Sequence, residues 1–397
     1  MRLKEKFRAA LTASAAESGR LPFLMNDMVI EEQLCQMRCS YCLTEEYNLL
    51  MNVPDARLRL TTDRRQDWHE ILDLYHAHVD APILRLSGGE FFWLKGSTEF
   101  VEEASRRYET VQVITNGVFL NERRIEALAA LGNVQLNISL DGHTLELNRH
   151  RLPPKQARLH DVIMRALHAA AEAGLRLDIQ SVLTDANYAG QLEFAEYLRD
   201  RVDGSTTLYF FPVRGETAER MGPPPGDHLV PLVERYDEFA SVLPPRAYVE
   251  HMALQLQTNV RTLGCFVTAT MAQLFGQGDV SACPHAWVKP MGNLAENRTL
   301  LLDQYGSHQH YDLFMHDRPR FGFCKTCATP SDVINLYFLD RITEEEIGAT
   351  HLYSGERSRA RLRELKERFR PVLSGAPAAG PDAAPEDHPD TVQSVSS

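Results

Sequence analysis

The 397-residue chain is short of several things, and each shortage narrows its class. Positive charge is outweighed: 42 Lys and Arg stand against 54 Asp and Glu, a formal charge of −12. A non-specific nucleic-acid binder needs a basic face to neutralise phosphates, so that class is excluded. Long apolar runs are missing too. No stretch approaches the ~18 residues of a membrane span, and no signal-peptide core follows the basic residues 1–8. The chain is therefore expected in the cytoplasm. Cysteine is scarce and odd in number, seven in all with close pairs, which suits metal-holding thiols in a reducing compartment better than a disulfide framework. No repeat is visible, and the length allows one large domain with a satellite, or two domains.

Three of those cysteines stand together in Cys35-Gln36-Met37-Arg38-Cys39-Ser40-Tyr41-Cys42. Thiolates are soft ligands for zinc or iron–sulfur clusters, and a three-Cys set leaves one iron of a four-iron cube open. Structural zinc would want a fourth protein ligand nearby, and residues 43–47 offer only carboxylates, which are uncommon in that role. Three further motifs follow in order: Ser87-Gly88-Gly89-Glu90, Ile114-Thr115-Asn116-Gly117 and Ile138-Ser139-Leu140-Asp141-Gly142.

With these motifs the chain resembles the radical S-adenosylmethionine (radical SAM) superfamily. The resemblance implies a [4Fe-4S] cluster on Cys35, Cys39 and Cys42, with the amino and carboxylate groups of S-adenosylmethionine on its open iron. It implies cofactor-binding roles for Tyr41 beside the adenine, for Ser87, Gly88 and Gly89 where backbone meets ligand, and for Glu90 as acceptor from the ammonium. Thr115, Asn116, Ser139 and Asp141 would reach the ribose or the methionyl end. Arg151 would face the cofactor carboxylate, with Arg149 a close competitor, and Asn187 would sit at the exit of the fifth strand. For several of these the plain alternative is turn formation or N-capping, which Asn, Ser and Asp do anyway. Phe91-Phe92-Trp93 departs from the family's proline-leucine. The histidines, among them His143, His150, His251, His285, His308 and His310, show no metal-ligand spacing.

Apolar periodicity predicts strands at 83–86, 111–115, 134–140, 177–184 and 207–212, alternating with helices at 97–108, 122–131, 158–173 and 191–199. Such alternation implies right-handed βαβ crossovers and a parallel sheet, whose chemistry belongs at the carboxyl ends of the strands. Counting a first strand before the cysteines, the expected fold is α/β: the partial (β/α)6 TIM-like barrel of the radical SAM type, followed by a small twitch (SPASM-like) iron–sulfur domain. The expected segments are a helical extension at 1–27, the radical SAM core at 28–215 and a linker with bridging helix at 216–262. After these come the auxiliary-cluster domain at 263–335, a C-terminal helix at 336–373 and a disordered tail at 374–397. Thr343 and Glu346 have capping-box spacing, and Gly174 is a helix stop.

Cys265, Cys283, Cys324 and Cys327 make up the second set. In isolation four thiols ending in C-x-x-C suit zinc equally well. Behind a radical SAM core they resemble the twitch form of the SPASM extension, which implies one auxiliary [4Fe-4S] cluster. The function expected is reductive cleavage of S-adenosylmethionine, hydrogen abstraction from carbon and a net two-electron oxidation, served by a flavodoxin- or ferredoxin-type electron donor. The substrate expected is a sugar or aminocyclitol metabolite. The alternative is a ribosomal peptide undergoing crosslinking or dehydrogenation, and a non-enzymatic zinc protein stands third. Against a peptide, no N-terminal leader-binding domain of about 80 residues precedes the core, although a separate protein could supply one.

Overall fold

The computed structural model describes residues 19–30, 34–42, 68–202, 205–213, 226–275, 278–281, 283, 291–301 and 327–373. The expectations for residues 1–18, for Cys324 and for the tail at 374–397 lie outside that set.

Six parallel strands carry the core: β1 (Met25–Ile30), β2 (Ile83–Gly88), β3 (Thr110–Thr115), β4 (Val134–Ser139), β5 (Arg176–Leu183) and β6 (Thr206–Pro212). They pair in chain order, as successive βαβ crossovers require. Helices α1 (Trp68–His78), α2 (Ser97–Ser105), α3 (Glu122–Ala129), α4 (Leu159–Glu172) and α5 (Gln191–Arg201) alternate with them. On each strand, alternate residues such as Leu86, Val113, Ile138, Ile179 and Phe210 are fully buried. The residues between them, Ser87, Ile114, Ser139, Gln180 and Val182, are only half-buried and line the opposite face. Gly174 ends α4 in the left-handed conformation, with φ +76°.

The second cysteine region does not begin at a break in this sheet. Strand β7 (Met271–Phe275) pairs parallel with β1, from Met25↔Met271 to Val29↔Phe275, and β8 (Asp279–Ser281) and β9 (Gly292–Asn293) continue from it antiparallel. The result is one nine-stranded sheet. Asp27 on β1 ties the seam, accepting from Arg85 at 2.7 and 3.1 Å and from Gln273 of β7 at 3.2 Å. The bridge to this region falls within the linker expected at 216–262. After the Pro244-Pro245 turn, α6 (Arg246–Thr258) runs for 13 residues.

The chain's C-terminal part closes the amino-terminal mouth of the barrel. Helices α7 (Asp332–Phe338), α8 (Glu344–Gly348) and α9 (Glu356–Leu373) lead around it, and α8 starts with the expected capping box of Thr343 and Glu346. The turn His351–Tyr353 brings His351 within 3.3 Å of Asp178, low on β5. Glu109, just before β3, accepts from the amides of Arg357 and Ser358 and from the Ser358 hydroxyl. A Cβ on Gly355 would sit 2.1 Å from the Glu109 carboxylate, so a side chain there would push Glu109 out of these bonds. With that end shut, the carboxyl ends of the strands are left as the functional mouth.

Candidate active site

The cysteine loop leaves the end of β1 and is fastened to the ends of three neighbouring strands. At β2, the Glu90 amide donates to the Leu34 carbonyl at 2.8 Å. At β3, Gln36 Nε2 donates to Asn116 Oδ1 at 3.1 Å, and Asn116 Nδ2 lies 3.8 Å from Cys35 Sγ. Beyond β4, the Ser40 amide donates to the His150 carbonyl at 2.8 Å, the Cys39 thiol lies 3.7 Å from the Arg151 carbonyl, and the Tyr41 hydroxyl donates to Asp141. A short loop with three thiols is thus held over the carboxyl end of the sheet.

Burial pushes the Cys39 thiol up to about 12 and raises Cys35 as well, so both are protonated until a metal displaces the proton. Among the described residues, no three His, Cys, Asp or Glu side chains converge as they would around a single metal ion. Cys35, Cys39 and Cys42 are nonetheless close enough to feel one another's charge. A cube needs this looser grouping, because each thiolate binds a different iron. Three thiols on one loop suit a four-iron cluster that keeps one iron open.

The other motif residues fall into two groups. The first is satisfied by the protein itself. Glu90 is buried; its Oε1 accepts from the Phe92 amide at 3.1 Å and from Thr115 Oγ1 at 2.7 Å, and its Oε2 accepts from the Asn116 amide at 2.7 Å. Burial raises its carboxyl above the usual range in spite of these donors. It caps the 3₁₀ turn Phe91–Trp93. Asp141 Oδ1 accepts from Arg151 Nη2 at 2.8 Å and from the Val182 amide at 3.0 Å, and Oδ2 takes the Tyr41 hydroxyl. Asn187 is fully buried and knits the β5 exit, accepting from Thr184 and donating to the Asp141 and Val182 carbonyls. The close approach that needs glycine at 88 is with the chain's own backbone: a Cβ there would lie 2.0 Å from the Ile30 carbonyl oxygen of β1.

The second group is open. Ser87, Ser139 and Gln180 are half-buried on the face away from the helices, and none makes a side-chain hydrogen bond among the described residues. Arg151 is 7% exposed at its side chain, and its Nε has no partner among the described residues. A buried cation with an unmet donor beside the cysteine loop suits a carboxylate ligand. Arg149 instead pairs with Glu146 and Asp185 at the surface.

Sequence reasoning missed several groups. His150 bridges Ser40 Oγ at 2.9 Å and Asp185 Oδ1 at 2.6 Å, clamping the cysteine loop to the β5 exit. Asn148 holds the Asp141 amide at 2.8 Å. Gln180 carries no motif, and its only signal was its place near the end of β5.

Residues 33–198 match the family model of the Radical SAM superfamily. That stretch, a little under half of the chain, is similar to a radical SAM domain. This family uses S-adenosylmethionine and a [4Fe-4S] cluster, and the thiol spacing, the open Arg151 donor and the half-buried polar face fit that pair. The sporulation killing factor maturation protein SkfB of Bacillus subtilis is 32% identical over 108 residues, 27% of this chain and 24% of that protein. A GTP 3',8-cyclase of Streptomyces coelicolor is 32% identical over 152 residues, 38% of this chain and 42% of that enzyme. The chain thus spans less than half of either relative. In fold it is similar to Streptococcus suis SuiB bound to the precursor peptide SuiA, with TM-score 0.55 at 15% identity, covering 78% of this chain and 71% of SuiB. It is also similar to anSMEcpe with bound AdoMet and the Cp18Cys peptide, with TM-score 0.55 at 13% identity, covering 88% and 99%.

Cys265 and Cys327 are drawn towards one helix. The Cys327 carbonyl accepts from Arg261 Nη1 at 2.6 Å and from Gln255 Nε2 at 3.1 Å, and Arg261 is paired with Asp332 at the start of α7. The amide of Phe266, next to Cys265, donates to Asn335 of the same helix at 2.8 Å. The Cys283 carbonyl accepts from Ser281 Oγ at 3.0 Å.

Proposed function

We propose that this protein is a radical SAM enzyme that oxidises a ribosomally made peptide, by crosslinking or dehydrogenation. The observation that carries the chemistry is the three-thiol loop fastened to three strand ends above an open polar face. When bound, the cluster and S-adenosylmethionine supply a 5′-deoxyadenosyl radical that removes hydrogen from carbon. Cys35, Cys39 and Cys42 would hold the cluster, and Arg151 would meet the cofactor carboxylate. Ser87, Ser139 and Gln180 would orient the cofactor or the substrate from below. Cys265, Cys283, Cys324 and Cys327 would hold an auxiliary [4Fe-4S] cluster as electron acceptor, and a flavodoxin- or ferredoxin-type protein would reduce the first cluster.

A peptide replaces the sugar or aminocyclitol metabolite favoured by the sequence reading. SkfB is named as a maturation protein, and SuiB and anSMEcpe are seen with peptides bound, which supports this substrate class. The test is turnover of reconstituted protein, under anaerobic conditions in deuterium oxide, with a short peptide encoded beside its gene. The expected product is two mass units lighter, with no deuterium at carbon. Unchanged mass apart from one solvent deuterium at an inverted centre would overturn the oxidation. Turnover of a sugar with the peptide untouched would overturn the substrate class.

A further inference from the structure

The departure at Phe91-Phe92-Trp93 builds a surface that the chemistry above does not use. Phe91 and Phe92 pack into the core edge to face, with ring centroids 5.3 Å apart. Trp93 turns outward instead, 42% exposed, and stacks on Phe119 at 5.9 Å and 17°. The Arg124 guanidinium lies 4.8 Å over the Phe92 ring and is fixed by bonds to Thr98 Oγ1 and the Phe119 carbonyl. These side chains floor an open groove of about 890 Å³ between the β2 exit, the β3 exit and α4. Lys95, Arg123 and Arg165, all exposed, stand on its rim with Glu122 as the one acidic residue among those lining it. On a chain of net charge −12 this is a local excess of cations around an aromatic floor.

We propose that this groove binds an acidic segment, carrying an apolar anchor, of the peptide on which the enzyme acts. The inference rests on the peptide reading above. Three features select the occupant. The rim cations come from three separate elements, so they would meet carboxylates spread along an extended chain rather than one compact phosphate. The free face of Trp93 offers a flat apolar seat for one side chain. The floor residues directly follow Glu90 and Asn116, so a peptide held there would run on towards the cysteine loop.

The probe is a fluorescein-labelled twelve-residue peptide with four Glu and a central Phe, compared with its Lys counterpart and with labelled oligothymidylate. Anisotropy should show the acidic peptide bound, more weakly at high salt. R123E/R165E should weaken it about tenfold, the sum of two reversed rim charges, and should bind the Lys peptide instead. W93A should weaken the acidic peptide without changing its salt dependence. Affinity unmoved by the charge reversal, tighter binding of oligothymidylate, or no binding of the acidic peptide would each overturn the proposal. Turnover separates it from the reading beneath: a modified peptide with KM unchanged in R123E/R165E sinks the groove alone. An acidic peptide bound in the groove by an enzyme that oxidises only sugars sinks both.

Discussion

Asp141→Asn tests how the cysteine loop is held. Asp141 is almost wholly buried, and it neutralises Arg151, which is 7% exposed at its side chain. Breaking a buried pair from one side leaves an uncompensated charge, which costs about 3–5 kcal/mol. Asparagine keeps an acceptor for the Val182 amide, so about 3 kcal/mol is expected. Tyr41→Phe removes one bond to the same carboxylate and should cost less, about 1.5–3 kcal/mol. Because both changes act on one network, the double variant should lose less than their sum. Adding Arg151→Met to Asp141→Asn should recover stability, since the stranded charge is gone. The assay is urea unfolding under anaerobic conditions with unchanged m-values, alongside iron content after reconstitution, which should fall in Asp141→Asn as the loop loosens. A neutral Asp141→Asn, strict additivity with Tyr41→Phe, or no recovery with Arg151→Met would refute the argument.

Replacing Cys35, Cys39 and Cys42 together with Ala should abolish 5′-deoxyadenosine formation and leave iron at the second thiol set; retained cleavage contradicts the assignment. Gly88→Ala should lower the melting temperature and the iron content, because a Cβ 2.0 Å from the Ile30 carbonyl must part β1 from β2, an overpacking cost of about 1–3 kcal/mol or more. Gly132→Ala meets nothing within 4 Å and is the control, bearing only the strain of its positive φ. Glu109→Gln should flatten the acid side of the stability curve. Burial alone would raise the Glu109 carboxyl, but bonds from the Ser358 hydroxyl and the amides of Arg357 and Ser358 hold it below its usual 4.5. A depressed folded value adds stability above the unfolded value and loses it as pH falls through the folded one, so wild type and variant should converge below that point. The group is only half-buried and solvent screens it, so the gap near neutral pH should stay under about 1 kcal/mol; curves that remain parallel down to pH 2 would contradict it.

Much of the fold was legible because a buried parallel strand writes itself as a short apolar run between helical stretches. Strands β2 to β6 fall within a residue or two of the expected positions. Strand β7 is such a run as well, yet its partner lies far away: Gln273 bonds Asp27, 246 positions earlier. Local pattern cannot reveal a pairing of that range, so the second cysteine region read as a separate module when its first strand continues the barrel sheet. The His351–Tyr353 plug was hidden for the same reason. Capping at Thr343 and the stop at Gly174 were legible because both are decided within one helical turn.

The site divides along the same line. Glu90, Thr115, Asp141 and Asn187 stood out in sequence because their types and spacing form a motif, and in the fold they mostly bind one another and the backbone of adjacent strands. Their shared geometry sets the frame in which the thiols and Arg151 are held, and a frame tolerates little variation in spacing. The side chains left open to a ligand, Ser87, Ser139 and Gln180, meet a weaker demand, to be polar and half-buried at a strand's end. Many residues satisfy that, so Gln180 left no signature although it lies in register with Ser139 on the same face. The same reasoning reaches the rim of the groove, where Lys95, Arg123 and Arg165 read one at a time as ordinary surface charges and acquire meaning only when three elements bring them around Trp93. If the two proposals hold, the chemistry is written in this chain as local motif, whereas the choice of substrate is carried by long-range placement of undistinguished residues.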